Sequence, residues 1–134
     1  AVRCLRAVLP LLRAAGNSSI VMFSTVAVQQ GMPFHASVAM AKGAVEGLVR
    51  SLAAEFAPHI RVNAIAPSLT DTPLASKFLS SEEKRKASGD RHPLRRVGEP
   101  QEIGRAAVHL LMDATWTTGQ VLAIDGGLSS IRIS

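Results

Sequence analysis

The nine residues FHASVAMAK at 34–42 carry one amine, Lys42, and one imidazole, His35, on a segment otherwise made of small and apolar side chains. A lysine in that setting is either a solvated charge or a tool, an ammonium that binds hydroxyl groups and shifts the titration of a neighbour. One helical turn before it stands Val38, which can neither give nor take a proton. His35 precedes Val38 by three positions and Lys42 by seven, so in a helix that starts early enough the three share a face. An imidazole, with an ordinary pKa of about 6.5, is a competent proton carrier there. Hydroxyls gather at two other places, Ser24-Thr25 after an apolar run and Ser68, Thr70 and Thr72 after Pro67. Such groups hydrogen-bond either a substrate oxygen or nearby backbone.

Hydrophobic spacing predicts the elements that must position these groups. Val2, Leu5, Leu9 and Leu12 recur at helical intervals with Arg3, Arg6 and Arg13 elsewhere, and Gly16 is placed as a stop. The run SSIVMFST at 18–25 reads as a strand buried on both faces. From Phe34 to Phe56, Val38, Ala41, Val45, Leu48, Leu52 and Phe56 step by three and four along one face of a long helix. A second ridge of Ala39, Gly43 and Gly47 lets another helix approach closely. After Pro58, IRVNAIAP at 60–67 reads as a second buried strand halted by Pro67. Pro100 opens a helix striped by Ile103, Ala107, Leu110 and Leu111, and QVLAIDGG at 120–127 is a third strand ending in a turn. This alternation without a polar strand face predicts an α/β fold, a parallel sheet with right-handed crossovers. Ligands at such sheets bind beyond the strands' carboxyl ends, where Ser24-Thr25, the 67–72 stretch and Asp125-Gly126-Gly127 fall.

Composition excludes several classes. With 134 residues, 47% hydrophobic and 19% charged, the chain can bury one core and is neither disordered nor disulfide-stapled. Cys4 has no internal partner and the four histidines stand too far apart for a zinc site, so a reducing, cytoplasmic setting is expected. No apolar run approaches the roughly 18 residues of a membrane span. Arginines interrupt the opening helix, which argues against a secretory signal; they also suit a mitochondrial transit peptide, but an amphipathic helix accounts for the same residues. The net charge of +5 could draw nucleic acid, yet the richest stretch, SSEEKRKASGDRHPLRR at 80–96, is mixed in sign and lacks an aromatic for stacking. A solvated, mobile loop is expected there, and no nucleic-acid or membrane partner.

Three stretches together resemble the classical short-chain dehydrogenase/reductase family, most closely its branch similar to 3-oxoacyl-carrier-protein reductases: SSIVMFST followed by the lysine helix, RVNAIAPSLTDTPL, and RRVGEPQEIGRAAVHLLMDATWTTGQVLAIDGG. The resemblance implies a partial Rossmann-like doubly wound sheet of three C-terminal strands. It also implies hydride transfer between NAD or NADP and a small carbonyl or alcohol, and a homo-oligomer joined through the long helix and the last strand region. In the family a serine binds the substrate oxygen, a tyrosine exchanges the proton, and a lysine binds the cofactor ribose and lowers the tyrosine pKa from its free value of about 10. Matched position by position, the lysine is Lys42, the serine position falls on Thr25 and the tyrosine position on Val38. Pro67-Ser68 stands where the family has a proline-glycine turn on the nicotinamide side. Thr72 matches the threonine that contacts the carboxamide, and Thr70 the position whose backbone does so. The Asp125-Gly126-Gly127 turn matches a closing motif and reads as structural.

Loss of a general acid commonly costs about 10²- to 10⁴-fold in rate, so activity of this chain is expected to be weak or absent. His35 is the candidate replacement for the missing phenol. The alternative reading is a catalytically inert family member or fragment that serves as an oligomerisation or regulatory partner. Residues 1–134 are expected to be the C-terminal half of a single Rossmann-like domain, because no glycine-rich dinucleotide loop lies within them. Such a half is expected to leave SSIVMFST with an unpaired edge, to self-associate, and to bind dinucleotide poorly.

Overall fold

The three apolar runs form one parallel sheet in the computed structural model, which describes residues 1–133. Its strands are β1, Ser18–Phe23, β2, Ile60–Pro67, and β3, Val121–Ile124, in the spatial order β1-β2-β3. The helices are α1, Val2–Ala15, α2, Ala36–Phe56, α3, Glu82–Asp90, and α4, Pro100–Val108. Gly16 ends α1 with φ 72, a left-handed geometry that suits glycine, and its N–H closes on the Arg13 carbonyl. Leu5, Leu9 and Leu12 pack on the main core with Val45, Leu48 and Leu52 of α2, around buried Met22, Val49, Ala53, Phe56, Ile60 and Val62.

Only the middle strand is covered on both faces. β2 is buried from Val62 to Ala66, whereas β1 and β3 are largely half-buried and Phe23 is exposed, because β1 has no hydrogen-bonded neighbour on its outer side. This corrects the expectation that the first run is sealed on both faces. Long apolar runs mark the sheet, but position within it decides burial.

β2 carries two polar side chains that fix what surrounds it. Asn63, 0% exposed, donates from Nδ2 to the Thr117 carbonyl at 2.9 Å and accepts the Gln120 N–H at 3.0 Å. The Val62 N–H donates to Thr118 Oγ1, and the Gly119 N–H to the Val62 carbonyl. The turn before β3 is thereby held to β2, which sets the register from Ala64 opposite Val121 to Pro67 opposite Ile124. Arg61 gathers the end of α4. That helix continues as a π turn over His109–Asp113, and the guanidinium donates to the carbonyls of Leu110, Ala114 and Leu111 at 2.8, 2.8 and 2.9 Å. Helix-end carbonyls have no partner within the helix, so a cation supplies one.

The 80–96 stretch is not a loop throughout, which corrects a second expectation. Pro73–Phe78 is a 3-10 helix, and α3 follows after Ser81, whose hydroxyl accepts the Lys84 N–H. Glu82 and Glu83 in its first turn suit the positive end of the helix dipole. The helix is polar nearly all round, so hydrophobic spacing has nothing to detect. α4 begins with a reciprocal cap between Glu99 and Glu102, and Arg96 pairs with Glu102 through both nitrogens at 2.5 and 2.8 Å.

Two outcomes are expected. Arg61→Leu strips the carbonyls of the π turn of a charged donor and lowers stability by about 2–3 kcal/mol, read as a shift of the urea midpoint. The bond from Arg96 and the Glu99 N–H lower the Glu102 pKa from 4.5 to about 2. A lowered carboxyl pKa stabilises the fold above the unfolded value and loses that contribution as pH falls through the folded value. The stability difference between the wild type and Glu102→Gln should therefore be full at pH 6 and shrink steadily from about pH 4.5 towards 2, measured by urea unfolding across that range.

Candidate functional site

The first turns of α2 overhang the carboxyl end of β1, and two side chains fasten them there. The Lys42 ammonium donates to the carbonyl of Phe23 at 2.9 Å, and one turn later the buried Glu46 carboxylate accepts the Ser24 hydroxyl at 2.7 Å. Arg50 stands 3.9 Å from the other Glu46 oxygen. Ser24 in turn donates its N–H to the Ile65 carbonyl, so the fastening reaches the central strand. Val38 is 45% exposed and Ala41 is exposed, which corrects their expected place on the buried face; further along, Phe56 is buried and Val45, Leu48 and Leu52 pack against the core as expected, joined by Glu46, Val49 and Ala53.

That overhang roofs a cavity of about 810 Å³ whose lining includes Thr25, His35, Val38, Pro67, Ser68 and His92. A smaller groove of about 450 Å³ shares Thr25, Pro67 and Ser68 and adds Thr70 and Thr72. The structure thus brings together Thr25, His35 and Val38 on one side and Thr25, Pro67, Ser68, Thr70 and Thr72 on the other. Lys42 does not line either cavity; its ammonium sits at the Phe23 carbonyl, two residues from Thr25. Thr25 Oγ1 accepts the Ala27 N–H at 3.3 Å, capping a 3-10 turn at Val26–Val28, so its own proton remains available to a ligand. His35 is the residue just before α2, not a member of it, and its Nδ1 lies 2.7 Å from the Pro33 carbonyl. A carbonyl can only accept, so Nδ1 holds the proton and Nε2 is the free atom. Thr70 is pinned by a bridge to Gly98 and by its hydroxyl on the Ser68 carbonyl.

The sequence offered no reason to single out His92. It is 3% exposed, with Nδ1 2.9 Å from the Ser88 carbonyl and Nε2 2.8 Å from the Ser68 hydroxyl. The carbonyl fixes the donor at Nδ1, which leaves Nε2 to accept from Ser68. The closing turn backs this pair. Gly127 has φ 88, and a Cβ there would lie 3.0 Å from Ile131 and 3.1 Å from Pro93, so only glycine fits against the His92-Pro93 segment. Burial works to raise the Asp125 pKa, but the Ser129 hydroxyl and N–H and the Gly127 N–H together hold it below the ordinary carboxylate value. Among the described residues no group of histidine, cysteine or acidic side chains could hold a metal ion, and no helix is long and apolar enough to cross a membrane.

The family model described as enoyl-(acyl carrier protein) reductase matches residues 1–129. A tropinone reductase homolog of Arabidopsis thaliana is 43% identical over 122 residues, covering 90% of this chain and 47% of that protein. The solved 3-oxoacyl-[acyl-carrier protein] reductase of Brucella melitensis superposes with a TM-score of 0.85 at 32% identity, over 96% of this chain and 48% of the other. ElxO, solved with NADP bound, superposes with a TM-score of 0.87 at 30% identity, over 96% and 53%. The chain belongs to the short-chain dehydrogenase/reductase family, and its three parallel strands with flanking helices are part of that family's Rossmann fold. It spans about half the length of the curated relatives it matches.

The geometry of the buried pair is open to a direct check. In a nitrogen-detected NMR spectrum, Ser68→Ala should move the Nε2 resonance of His92 while its Nδ1 keeps the shift of a protonated nitrogen bonded to a carbonyl. Equal movement of both nitrogens would contradict the assignment.

Proposed function

We propose that these residues are the C-terminal half of one Rossmann-like domain, and that the whole protein transfers hydride between NAD or NADP and a small carbonyl or alcohol, with Ser68 and His92 carrying the proton in place of a tyrosine. The observation that supports this most is that Thr25, Val38, Ser68 and His92 line one cavity at the carboxyl ends of β1 and β2. A bound nicotinamide would supply or accept the hydride. Strand-end hydroxyls in the adjoining groove fit its amide side, so Pro67, Ser68, Thr70 and Thr72 are the residues to hold it, with Lys42 for ribose hydroxyls.

The Thr25 hydroxyl donates to the substrate oxygen. In the direction of alcohol oxidation, the substrate hydroxyl passes its proton to Ser68 Oγ as Ser68 passes its own to His92 Nε2. The second imidazole proton stays on Nδ1 against the Ser88 carbonyl, and the nearby Asp125 carboxylate offsets the new charge. Reduction runs the same path backwards. His35 lines the same cavity and is the other candidate carrier. The reading also takes the protein to be a cytoplasmic homo-oligomer, with the Ala39-Gly43-Gly47 ridge of α2 open towards a second copy at Gly47.

Val38, half-exposed where the family has its proton donor, favours the second reading: an inert member that works as an oligomerisation or regulatory partner. Carbonyl-dependent oxidation of NADH and NADPH by the intact protein separates the two. On the first reading the wild type turns over, Ser68→Ala loses about 10²-fold or more, and His35→Ala stays within about twofold of wild type. Turnover that appears only in Val38→Tyr would establish the second.

A further inference from the structure

The cations between residues 77 and 96 are sorted by the face they occupy. Arg85 pairs with Asp71 at 2.8 Å, Lys86 and Arg95 with Asp90 at 2.9 and 4.0 Å, and Arg96 with Glu102 at 2.5 Å. All four line a separate, acid-bearing pocket of about 440 Å³ on the outer side of this region, with Asp71, Glu82, Asp90 and Glu99. The remaining three, Lys77, Lys84 and Arg91, make no ion pair among the described residues, and all three line the cavity that holds Thr25, Val38 and Ser68; Lys77 also borders the groove beside Asp71, and the Lys84 ammonium donates to the Ser80 hydroxyl at 3.1 Å. No aspartate or glutamate lines that cavity among the described residues. α3 accounts for the sorting: Lys84, Ala87, Ser88 and Arg91 follow the helical repeat on the cavity side, while Arg85, Lys86 and Asp90 fall off it. The four outer cations are paired with carboxylates, whereas, among the described residues, Lys77, Lys84 and Arg91 are not.

Three unpaired like charges along one concave, acid-free surface repel one another and are stabilised by a compact anion that enters between them. We infer that the ligand of this cavity bears such an anion, a carboxylate or a phosphate, seated against Lys77, Lys84 and Arg91 while its carbonyl or alcohol carbon reaches Thr25 and Ser68. The location of the reacting carbon rests on the hydride-transfer reading; the anion site does not. A volume of about 810 Å³ suits a small metabolite with both ends engaged. The same chemistry could instead receive a cofactor phosphate, and the experiment separates these sources.

Isothermal titration into the intact protein compares dihydroxyacetone phosphate with dihydroxyacetone and acetoacetate with ethyl acetoacetate, in the presence of NAD and then of NADP. The charged member of at least one pair should bind at least about tenfold tighter, and the difference should fall as salt is raised. Lys77→Gln with Lys84→Gln and Arg91→Gln should erase the difference, whereas Lys86→Gln, on the outer face, should keep it. Equal binding of both members, binding of neither charged probe at millimolar concentration, or an equal loss in Lys86→Gln would overturn the proposal. So would a triple variant that weakens NADP and leaves the charged probes unaffected, since that assigns the cations to the cofactor. NADPH oxidation, followed separately, tests the chemistry. Anion binding without turnover removes the hydride-transfer reading and leaves the site, and turnover without charge preference does the reverse.

Discussion

A buried amide cannot be left without partners, since an unmatched buried polar group costs about 1–3 kcal/mol, and a half-buried guanidinium beside it draws acceptors of its own. β2 carries both, and the segments that satisfy them are the ones whose placement defines the fold. Arg61 draws in the frayed end of α4, and Asn63 draws in the turn before β3. β3 shares only four residues of ladder with β2, so its register owes much to that turn. The polar content of IRVNAIAP is therefore what organises the C-terminal third, while its apolar content organises the packing of α1 and α2 against the sheet.

The architecture was readable because periodicity reports burial. The three strands, α1, α2 and α4 all lie where spacing of apolar residues put them, and Gly16 and Pro100 mark boundaries for stated stereochemical reasons. α3 escaped for the complementary reason: a helix held by a serine cap, a dipole and ion pairs leaves no apolar trace. The buried face of α2 was misjudged at its start, since nothing in the sequence says how far a helix overhangs the strand it covers.

The site was legible where it follows the strand ends and obscure where it depends on long-range pairing. Thr25, Ser68, Thr70 and Thr72 come from the rule that ligands gather beyond carboxyl ends of parallel strands, and they share one groove. His92 lies within a stretch that reads as solvated charge, and its pairing with Ser68 joins residues that no local pattern connects. Glu46 was likewise invisible, because a carboxylate on a helix is ordinarily a surface group; here it holds the overhang over the cavity. The charge sorting of α3 could be seen only once the helix itself was known.

One further consequence concerns the outer margin of β1. The N–H groups of Ser18 and Ser24 point at β2, so the alternate residues Ser19, Val21 and Phe23 turn their amides and carbonyls away from it. The last of those outward acceptors, the Phe23 carbonyl, is already taken by Lys42. A strand added along that margin would meet the ammonium at this oxygen, whose two lone pairs let one carbonyl serve both the sheet's edge and the lysine.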